Sequence, residues 1–278
     1  MKHGNFFRLS AAITALLMIF TSCSADQPAE EAKTESTQMT SAPQVITEST
    51  TVSSSPSETQ ESVYEEKIPE IGPSVYNSTL QAIYDAITAY DENLFVDFEG
   101  MVGVSESLHY ETIESVLDNT GYAIKDINGD GVPELVIASV NERVDGKCFG
   151  SALYSLFTYA DDKAVCLLEG YARNRYDLFE DGTVYNNGSG GAIYYVSSTY
   201  RLPSGGNSLE CTECYFTNER NGDYEDIGVY RSTSGSCEVS EAEETDMTLD
   251  DFFLLMEELG TQAVSVELTP FSQYTAID

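Results

Sequence analysis

The pattern of hydrophobic and polar positions predicts helices at both ends of the folded part of this chain. From Leu80 to Ile87, apolar residues recur at the i, i+3, i+4, i+7 spacing of an amphipathic helix, which we expect to span 76–90. A shorter helix is predicted over 110–117, with Gly121 as its stop. Near the carboxyl end, Thr248 is the predicted N-cap of a helix that Gly260 ends.

Between these helices the pattern changes to short alternating runs, which are typical of strands. Turn signals such as Asp161-Asp162-Lys163 and Glu180-Asp181-Gly182 separate the runs. The helical crossovers that a parallel sheet requires are missing from the pattern. The sequence therefore predicts an α+β domain with N-terminal helices, a curved antiparallel β-meander and a C-terminal helix. We expect strands over 122–127, 135–140, 152–160, 164–171, 175–179, 183–186, 192–201, 209–217 and 226–231, and an edge strand over 264–268.

The amino terminus predicts export from the cell. Lys2 and Arg8 precede an apolar stretch over 11–20, which is the layout of a secretory signal and is too short for an ordinary membrane-spanning helix. Thr21-Ser22-Cys23 resembles a bacterial lipobox, in which the cysteine is acylated, for example with palmitate, and becomes the first mature residue. We predict a lipoprotein signal peptide over 1–22 and a membrane anchor on Cys23. The alternative is a soluble secreted chain that is cleaved near Cys23.

The segment 23–72 is rich in Ser, Thr, Glu and Pro. Such a segment has too little apolar surface to offset the entropy cost of ordering, so we predict a disordered tether. The remainder, 73–278, has the length of one α+β globular domain.

Strong negative charge narrows the range of partners. The chain holds 47 acidic and 13 basic residues, which gives a formal net charge of −34. Removal of the signal takes away Lys2 and Arg8 but no acidic residue, so the mature chain has 11 basic residues against 47 acidic ones and a net charge of −36. Nucleic acid and anionic lipid headgroups are poor partners for such a surface.

One segment carries specific chemistry. The loop from Asp126 to Glu134 has oxygen-bearing side chains at alternate positions and two glycines that permit a tight turn. Alternating oxygen ligands suit a hard cation such as Ca²⁺. An EF-hand would need a carboxylate at the twelfth position, where Ile137 stands instead. The alternative is a polar hairpin without an ion. The predicted structural Ca²⁺ ligands are the side chains of Asp126, Asn128, Asp130 and Glu134 and the carbonyl of Val132.

A carboxylate at the ninth position that leads straight into a strand resembles the calcium loops of FG-GAP and related β-propeller repeats. The wider segment, Tyr-Ala-x-x-Asp-Ile-Asn-Gly-Asp-Gly-x-Pro-Glu-Leu over 122–135, is similar to a signature in uncharacterised lipoproteins of Gram-positive bacteria. The resemblance covers roughly 76–271, but only the calcium-type loop is specific. It implies a secreted, lipid-anchored protein, and it supplies no activity and no catalytic residues.

Cysteine usage leaves several arrangements open. Cys211 and Cys214 have the spacing of redox or zinc motifs, but strand alternation places them on opposite faces unless a bulge intervenes. We expect separate structural disulfides or buried thiols. The pairing is left open among Cys148, Cys166, Cys211, Cys214 and Cys237.

A coherent catalytic set does not emerge from the sequence. His109 is the single histidine of the mature chain, and its place on a short predicted helix favours a surface or capping role. The sequence favours a lipid-anchored, extracytoplasmic, calcium-stabilised and non-enzymatic binding module at the cell envelope. Its expected partners are the membrane, through Cys23, and an envelope glycan or protein. The alternative is a secreted hydrolase that uses carboxylates and keeps the Ca²⁺ as a structural support. The ligand and the oligomeric state stay open.

Overall fold

A thirteen-stranded sheet dominates the computed structural model, which describes residues 72–90 and 99–275. The predicted signal peptide, Cys23 and the tether up to residue 71 lie outside the described residues. Four α-helices accompany the sheet in the described part: α1 (Asn77–Thr88), α2 (Val102–Tyr110), α3 (Ile113–Asn119) and α4 (Leu249–Gly260). A 3₁₀ turn over Pro73–Tyr76 precedes α1. None of the described helices has the length and apolar character needed to cross a membrane.

The strands follow one another mostly as hairpins, and every pairing between them is antiparallel. They are β1 (Thr120–Lys125), β2 (Glu134–Ser139), β3 (Glu142–Val144), β4 (Lys147–Gly150), β5 (Leu153–Ala160), β6 (Lys163–Glu169), β7 (Asn174–Leu178), β8 (Val184–Ser189), β9 (Tyr195–Arg201), β10 (Glu210–Arg220), β11 (Asp223–Ser232), β12 (Glu243–Glu244) and β13 (Val266–Pro270). The spatial order is β12-β11-β10-β9-β8-β7-β5-β2-β1-β13-β4-β3, with β6 paired to β5. This architecture confirms the predicted α+β fold class.

Two details of the predicted elements are wrong. Gly121 does not stop a helix but lies inside β1, opposite Pro270, where a Cβ atom would come within 2.8 Å of Leu268 Cβ. The helix instead begins after Thr112, whose side chain accepts a hydrogen bond from the Ser115 N–H. The predicted edge strand, β13, is an inner strand between β1 and β4. The short β3–β4 hairpin forms the edge instead. All three residues of β3 are exposed and two of them are charged, so this strand lacks the hydrophobic pattern by which strands are predicted.

The two faces of the sheet bury different partners. Alternate residues of β2, namely Leu135 and Ile137, pack with Phe157 of β5 against α1, α2 and α3. The intervening residues Val136 and Ala138 face the other way, as strand geometry requires. There they form a second cluster with side chains from both halves of the sheet, among them Leu178 and Val184 of β7 and β8 and Leu268 of β13. Contacts between such distant strands require the sheet to curl, so this inner face packs largely on itself.

Helix α4 covers the far part of the same outer face. It starts with a capping box between Thr248 and Asp251, which satisfies the first free amides of the helix. Phe252 and Met256 pack on Val229 of β11. The Tyr185 hydroxyl donates to the Met256 carbonyl at 3.3 Å. Because helices cover one face of the sheet and the other face packs on itself, the turns between strands are the parts of the sheet that neither face covers.

Candidate metal centre

The candidate loop connects β1 to β2, and the pair Lys125 and Glu134 closes it. The prediction that two strands hold the loop is confirmed. Gly129 and Gly131 have φ of +77° and +88°, a region that L side chains rarely adopt. Nothing lies within 4 Å of a Cβ atom at either position, so the backbone angle and not crowding requires glycine there.

Hydrogen bonds to its own amides shape the loop. The Asp126 carboxylate accepts from the N–H of Gly129 at 2.7 Å and from the N–H of Gly131 at 2.9 Å. Asp130 Oδ1 accepts from the N–H of Val132 at 2.8 Å. Each carboxylate oxygen has about two acceptor positions, so one hydrogen bond leaves a lone pair for a cation. The expected role of the Val132 carbonyl stays a prediction, whereas its amide has the structural role just described.

Glu134 differs from the other candidates because it is fully buried. As the first residue of β2 it points toward the inner face of the sheet, on the side of Val136. Its carboxylate accepts from the N–H of Ile127 at 3.0 Å and from the hydroxyl of Thr158 at 3.1 Å. These two bonds fix its position at the base of the loop.

The surroundings of Glu134 oppose its ionisation. Loss of water around the carboxylate raises its pKa, hydrogen bonds from Ile127 and Thr158 lower it, and the negative charges of Asp130 and Asp126 raise it further. The net result is a pKa of about 7, against an ordinary value of 4.5. At neutral pH the site therefore holds an unfavourably placed negative charge that a cation would stabilise.

A second loop docks on the first through Asp130 and Asn128. The N–H of Gly205, in the connection between β9 and β10, donates to Asp130 Oδ2 at 2.7 Å. The Asn128 side-chain amide donates to the same oxygen at 3.0 Å and lies 3.4 Å from the carbonyls of Leu202 and Pro203. Sequence reasoning missed this partner, because the contact joins residues about seventy-five positions apart.

A third loop supports the site from the turn between β7 and β8. A Cβ atom at Gly182 would lie 1.9 Å from the carbonyl oxygen of Ile127, so the turn touches the backbone at the start of the loop. Asp181 beside it forms an ion pair with Arg201 at 2.6 Å. Hydrogen bonds from Thr183 and the charge of Arg201 hold the pKa of Asp181 below its usual value.

The loop is also fastened to the first described element of the domain. The hydroxyl of Tyr76, a fully buried side chain, donates to the Pro133 carbonyl at 2.8 Å. Burial, together with the charges of Glu134 and Asp130, raises the pKa of this phenol, so it stays a donor at physiological pH.

The donor chemistry fits Ca²⁺, but the side chains are not gathered into a finished site. Carboxylate and amide oxygens are the ligands of a hard cation, and all four predicted side chains belong to one anchored loop. Within 72–90 and 99–275, no group of three or more His, Cys, Asp or Glu side chains is close enough to hold a metal ion. Asn128 uses its oxygen to accept from the Asp130 N–H at 3.1 Å. Coordination therefore needs local side-chain rotation within the loop.

We predict that Gly182→Ala destabilises the fold more than Gly222→Ala. Both glycines have φ near +75° to +80° in hairpin turns, so the two variants share the backbone strain. Only Gly182 lies against another backbone, whereas nothing lies within 4 Å of a Cβ at Gly222. The clash with Ile127 should add about 1–3 kcal/mol to the loss. Urea unfolding of both variants measures the difference, and equal losses would show that the turn does not support the loop.

We predict a pH-dependent stability term from Glu134 in calcium-free buffer. The unfolded carboxyl loses its proton near pH 4.5 and the folded one near pH 7, so the native state holds more protons between these values. This contribution to stability is present below pH 4.5 and is lost as the pH rises to 7. The loss should reach about 3 kcal/mol, and Glu134→Gln should remove it.

Thermal or urea unfolding at several pH values measures this term as the stability of the wild type minus that of Glu134→Gln. The difference should fall as the pH rises. Glu225→Gln, at an exposed position of β11, is the matched control. A difference that stays constant with pH would contradict the assignment.

Comparisons of this chain with protein-family models, with curated proteins and with solved structures find no match.

Proposed function

We propose that this protein is a lipid-anchored, extracytoplasmic, calcium-stabilised module that binds a component of the cell envelope without catalysing a reaction. The observation that carries the proposal is Glu134, a buried carboxylate at the base of a loop of oxygen donors, with two further aspartates close enough to raise its pKa. Such an arrangement costs stability at neutral pH unless a cation offsets it.

In this proposal Ca²⁺ is held by Asp126, Asn128, Asp130 and Glu134 and by the carbonyl of Val132. The ion supplies positive charge to a site whose neighbours are negative, and it performs no chemistry on a substrate. The loops that contain Gly182 and Gly205 touch the candidate loop. Binding of Ca²⁺ would therefore stiffen these three connections together.

The location rests on the amino-terminal sequence. A basic start, an apolar stretch and Thr21-Ser22-Cys23 support export followed by acylation of Cys23. The segment 23–72 would then separate the folded domain from the membrane. A diacylglycerol adds about 0.8 kcal/mol of membrane affinity per buried methylene, which suffices for attachment at the outer face of the membrane.

The non-enzymatic part of the proposal rests on the surroundings of the groups that could act. His109 lies on α2 with its ring 3.4 Å from the Tyr90 hydroxyl and packed edge-on against Tyr110. Glu134 is fully buried, and its carboxylate accepts hydrogen bonds from the N–H of Ile127 and the hydroxyl of Thr158. The first arrangement suits a surface contact, and the second suits a structural ion.

We predict that the mature chain, stripped with chelator, binds one Ca²⁺ with a Kd of about 10⁻⁴–10⁻³ M. At 10-fold to 100-fold excess over Kd, the ion should raise the melting temperature by about 3–10 °C. Asp130→Asn removes one charge from the loop and should weaken binding at least about tenfold. Calorimetric titration with Ca²⁺ and then Mg²⁺, together with melting curves, gives both quantities.

Asp161→Asn is the control for this titration, because Asp161 occupies a positive-φ turn position elsewhere and Asn tolerates that geometry. It should titrate like the wild type. Absence of binding heat and of a melting shift in the wild type would reduce the loop to a polar turn. An Asp130→Asn variant that binds as well as the wild type would also contradict the ligand assignment.

We predict that Cys23→Ala releases the protein from the membrane without abolishing its retention by the envelope. Expressed in a bacterium, the wild type should partition into the detergent phase on phase separation, and Cys23→Ala should partition into the aqueous phase. Ser24→Ala is the neighbouring control and should behave like the wild type. Purified Cys23→Ala protein should then co-sediment with washed cell envelopes in Ca²⁺ and less so in chelator.

The phase-separation test and the co-sedimentation test address the anchor and the envelope binding independently. If the wild type is aqueous, the anchor is wrong while the binding proposal survives. If the released protein does not sediment with envelopes in Ca²⁺, the binding proposal is wrong while the anchor survives.

A further inference from the structure

Three cysteines meet near the β12 end of the sheet, away from the candidate loop. Cys211 and Cys214 lie on β10, and the expectation that they face opposite sides is wrong. A β-bulge after Cys211 shifts the register, so that Cys211 opposes Tyr200 and Cys214 opposes Ser198 on β9. Tyr200 and Ser198 are two positions apart and share a face, so the two cysteines share that face as well.

The chain after β11 turns back over this face. Ser232 is the β11 partner of Cys214, and its hydroxyl accepts from the N–H of Ser234 at 3.3 Å. At Gly235, which has φ of +81°, a Cβ atom would lie 3.1 Å from Cys211 Cβ and 3.5 Å from its sulfur. The segment therefore passes directly over Cys211, and two residues later it reaches the third cysteine.

This third cysteine, Cys237, contacts Cys214. The two thiols interact: the Cys237 thiol favours the ionised form of Cys214, which lowers the pKa of Cys214 and raises that of Cys237. Cys214 is fully buried in a cluster with Phe216 and Tyr230, whereas Cys237 is exposed. All five cysteines of the described part are free thiols in the structure.

We propose that Cys214 and Cys237 are a redox pair that forms a disulfide with a low-molecular-weight disulfide as oxidant, leaving Cys211 as a thiol beside the new bond. The proposal does not depend on the calcium site. The other two cysteines have separate surroundings: Cys148 belongs to the inner cluster of the sheet, and the Cys166 thiol donates to the Leu168 carbonyl at 3.3 Å.

The reaction proceeds through two exchanges. Cys237 is the exposed member of the pair and therefore meets the oxidant RSSR first. The small fraction of Cys237 that has lost its proton attacks RSSR, forms a mixed disulfide and releases RS⁻. Cys214 then loses its proton, attacks the Cys237 sulfur as its thiolate and releases a second RS⁻. Two thiols of the protein are oxidised, one RSSR is reduced to two RSH, and the two protons lost by the protein end on the released thiols.

The bond would fasten the segment after β11 to the sheet. The closed loop contains the second part of β10 and the whole of β11, because the 22 residues from 215 to 236 lie between the two cysteines. Closing a loop of this size stabilises the fold chiefly by restricting the unfolded chain.

The test uses the mature chain, incubated with excess oxidised glutathione or with reduced glutathione. Free thiols are alkylated in denaturant, the disulfide is reduced, and the released thiols receive a heavier label before digestion. Trypsin separates 202–220 from 232–278, and cleavage after Glu213 distinguishes Cys211 from Cys214. We expect the heavy label on Cys214 and Cys237, the light label on Cys211, and a melting temperature about 5–10 °C higher after oxidation.

Variants sharpen the outcome. Cys237→Ser, at an exposed position, should abolish both the heavy label on Cys214 and the melting shift. Cys211→Ser should keep both. Light label on Cys214 and Cys237 after oxidation, or a disulfide that contains Cys211 in the wild type, would overturn the proposal.

Discussion

The burial of one carboxylate, Glu134, constrains everything around the candidate site. A carboxylate without water needs hydrogen bonds or a counter-charge, and this one receives two bonds, from Ile127 on its own loop and from Thr158 on β5. Those bonds tie the β1–β2 hairpin to its neighbouring strand at the level where the loop begins. They do not cancel the charges of Asp126 and Asp130, which raise the pKa of Glu134 further. The site is therefore organised by hydrogen bonds while its aspartates keep it unfavourable for a further negative charge, and this is the electrostatic ground for the proposed Ca²⁺.

The curl of the sheet explains why three loops gather around that carboxylate. β5 runs parallel to β1 and β7 runs antiparallel to β5, so in a flat sheet the turns after β7 and β9 would emerge at the end opposite the β1–β2 loop. The curl of the sheet, seen in the inner cluster that joins β7 and β8 to β13, brings these turns closer than a flat sheet would. Gly182 and Gly205 are the contact points because their backbones approach the candidate loop directly. The helices take no part at this point except through Tyr76, since they cover the opposite face.

Sequence reasoning succeeded where the signal is local. The i, i+4 spacing of α1, the Thr248 cap of α4, the hairpin turns and the glycines of the candidate loop are each decided by a few neighbouring residues. It failed where distant strands decide. The place of β13 inside the sheet depends on the β3–β4 hairpin, whose exposed residues carry no hydrophobic pattern. The common face of Cys211 and Cys214 depends on a bulge that only the pairing with β9 reveals. In the candidate site, the sequence showed the oxygen-bearing side chains of the loop, but the contact from Gly205 and the burial of Glu134 belong to the tertiary structure.

The hydrogen bond from Tyr76 to the Pro133 carbonyl has a mechanical consequence. The 3₁₀ turn over Pro73–Tyr76 is the point where tension from an amino-terminal attachment would enter the domain. Tyr76 would convey that tension to the backbone one residue before Glu134 and, through a hydrogen bond of 3.4 Å, to the Phe157 carbonyl of β5. A pull of this kind would load the candidate ion loop and β5 together. Occupancy of the loop by a cation would then change the force needed to unfold this part of the domain.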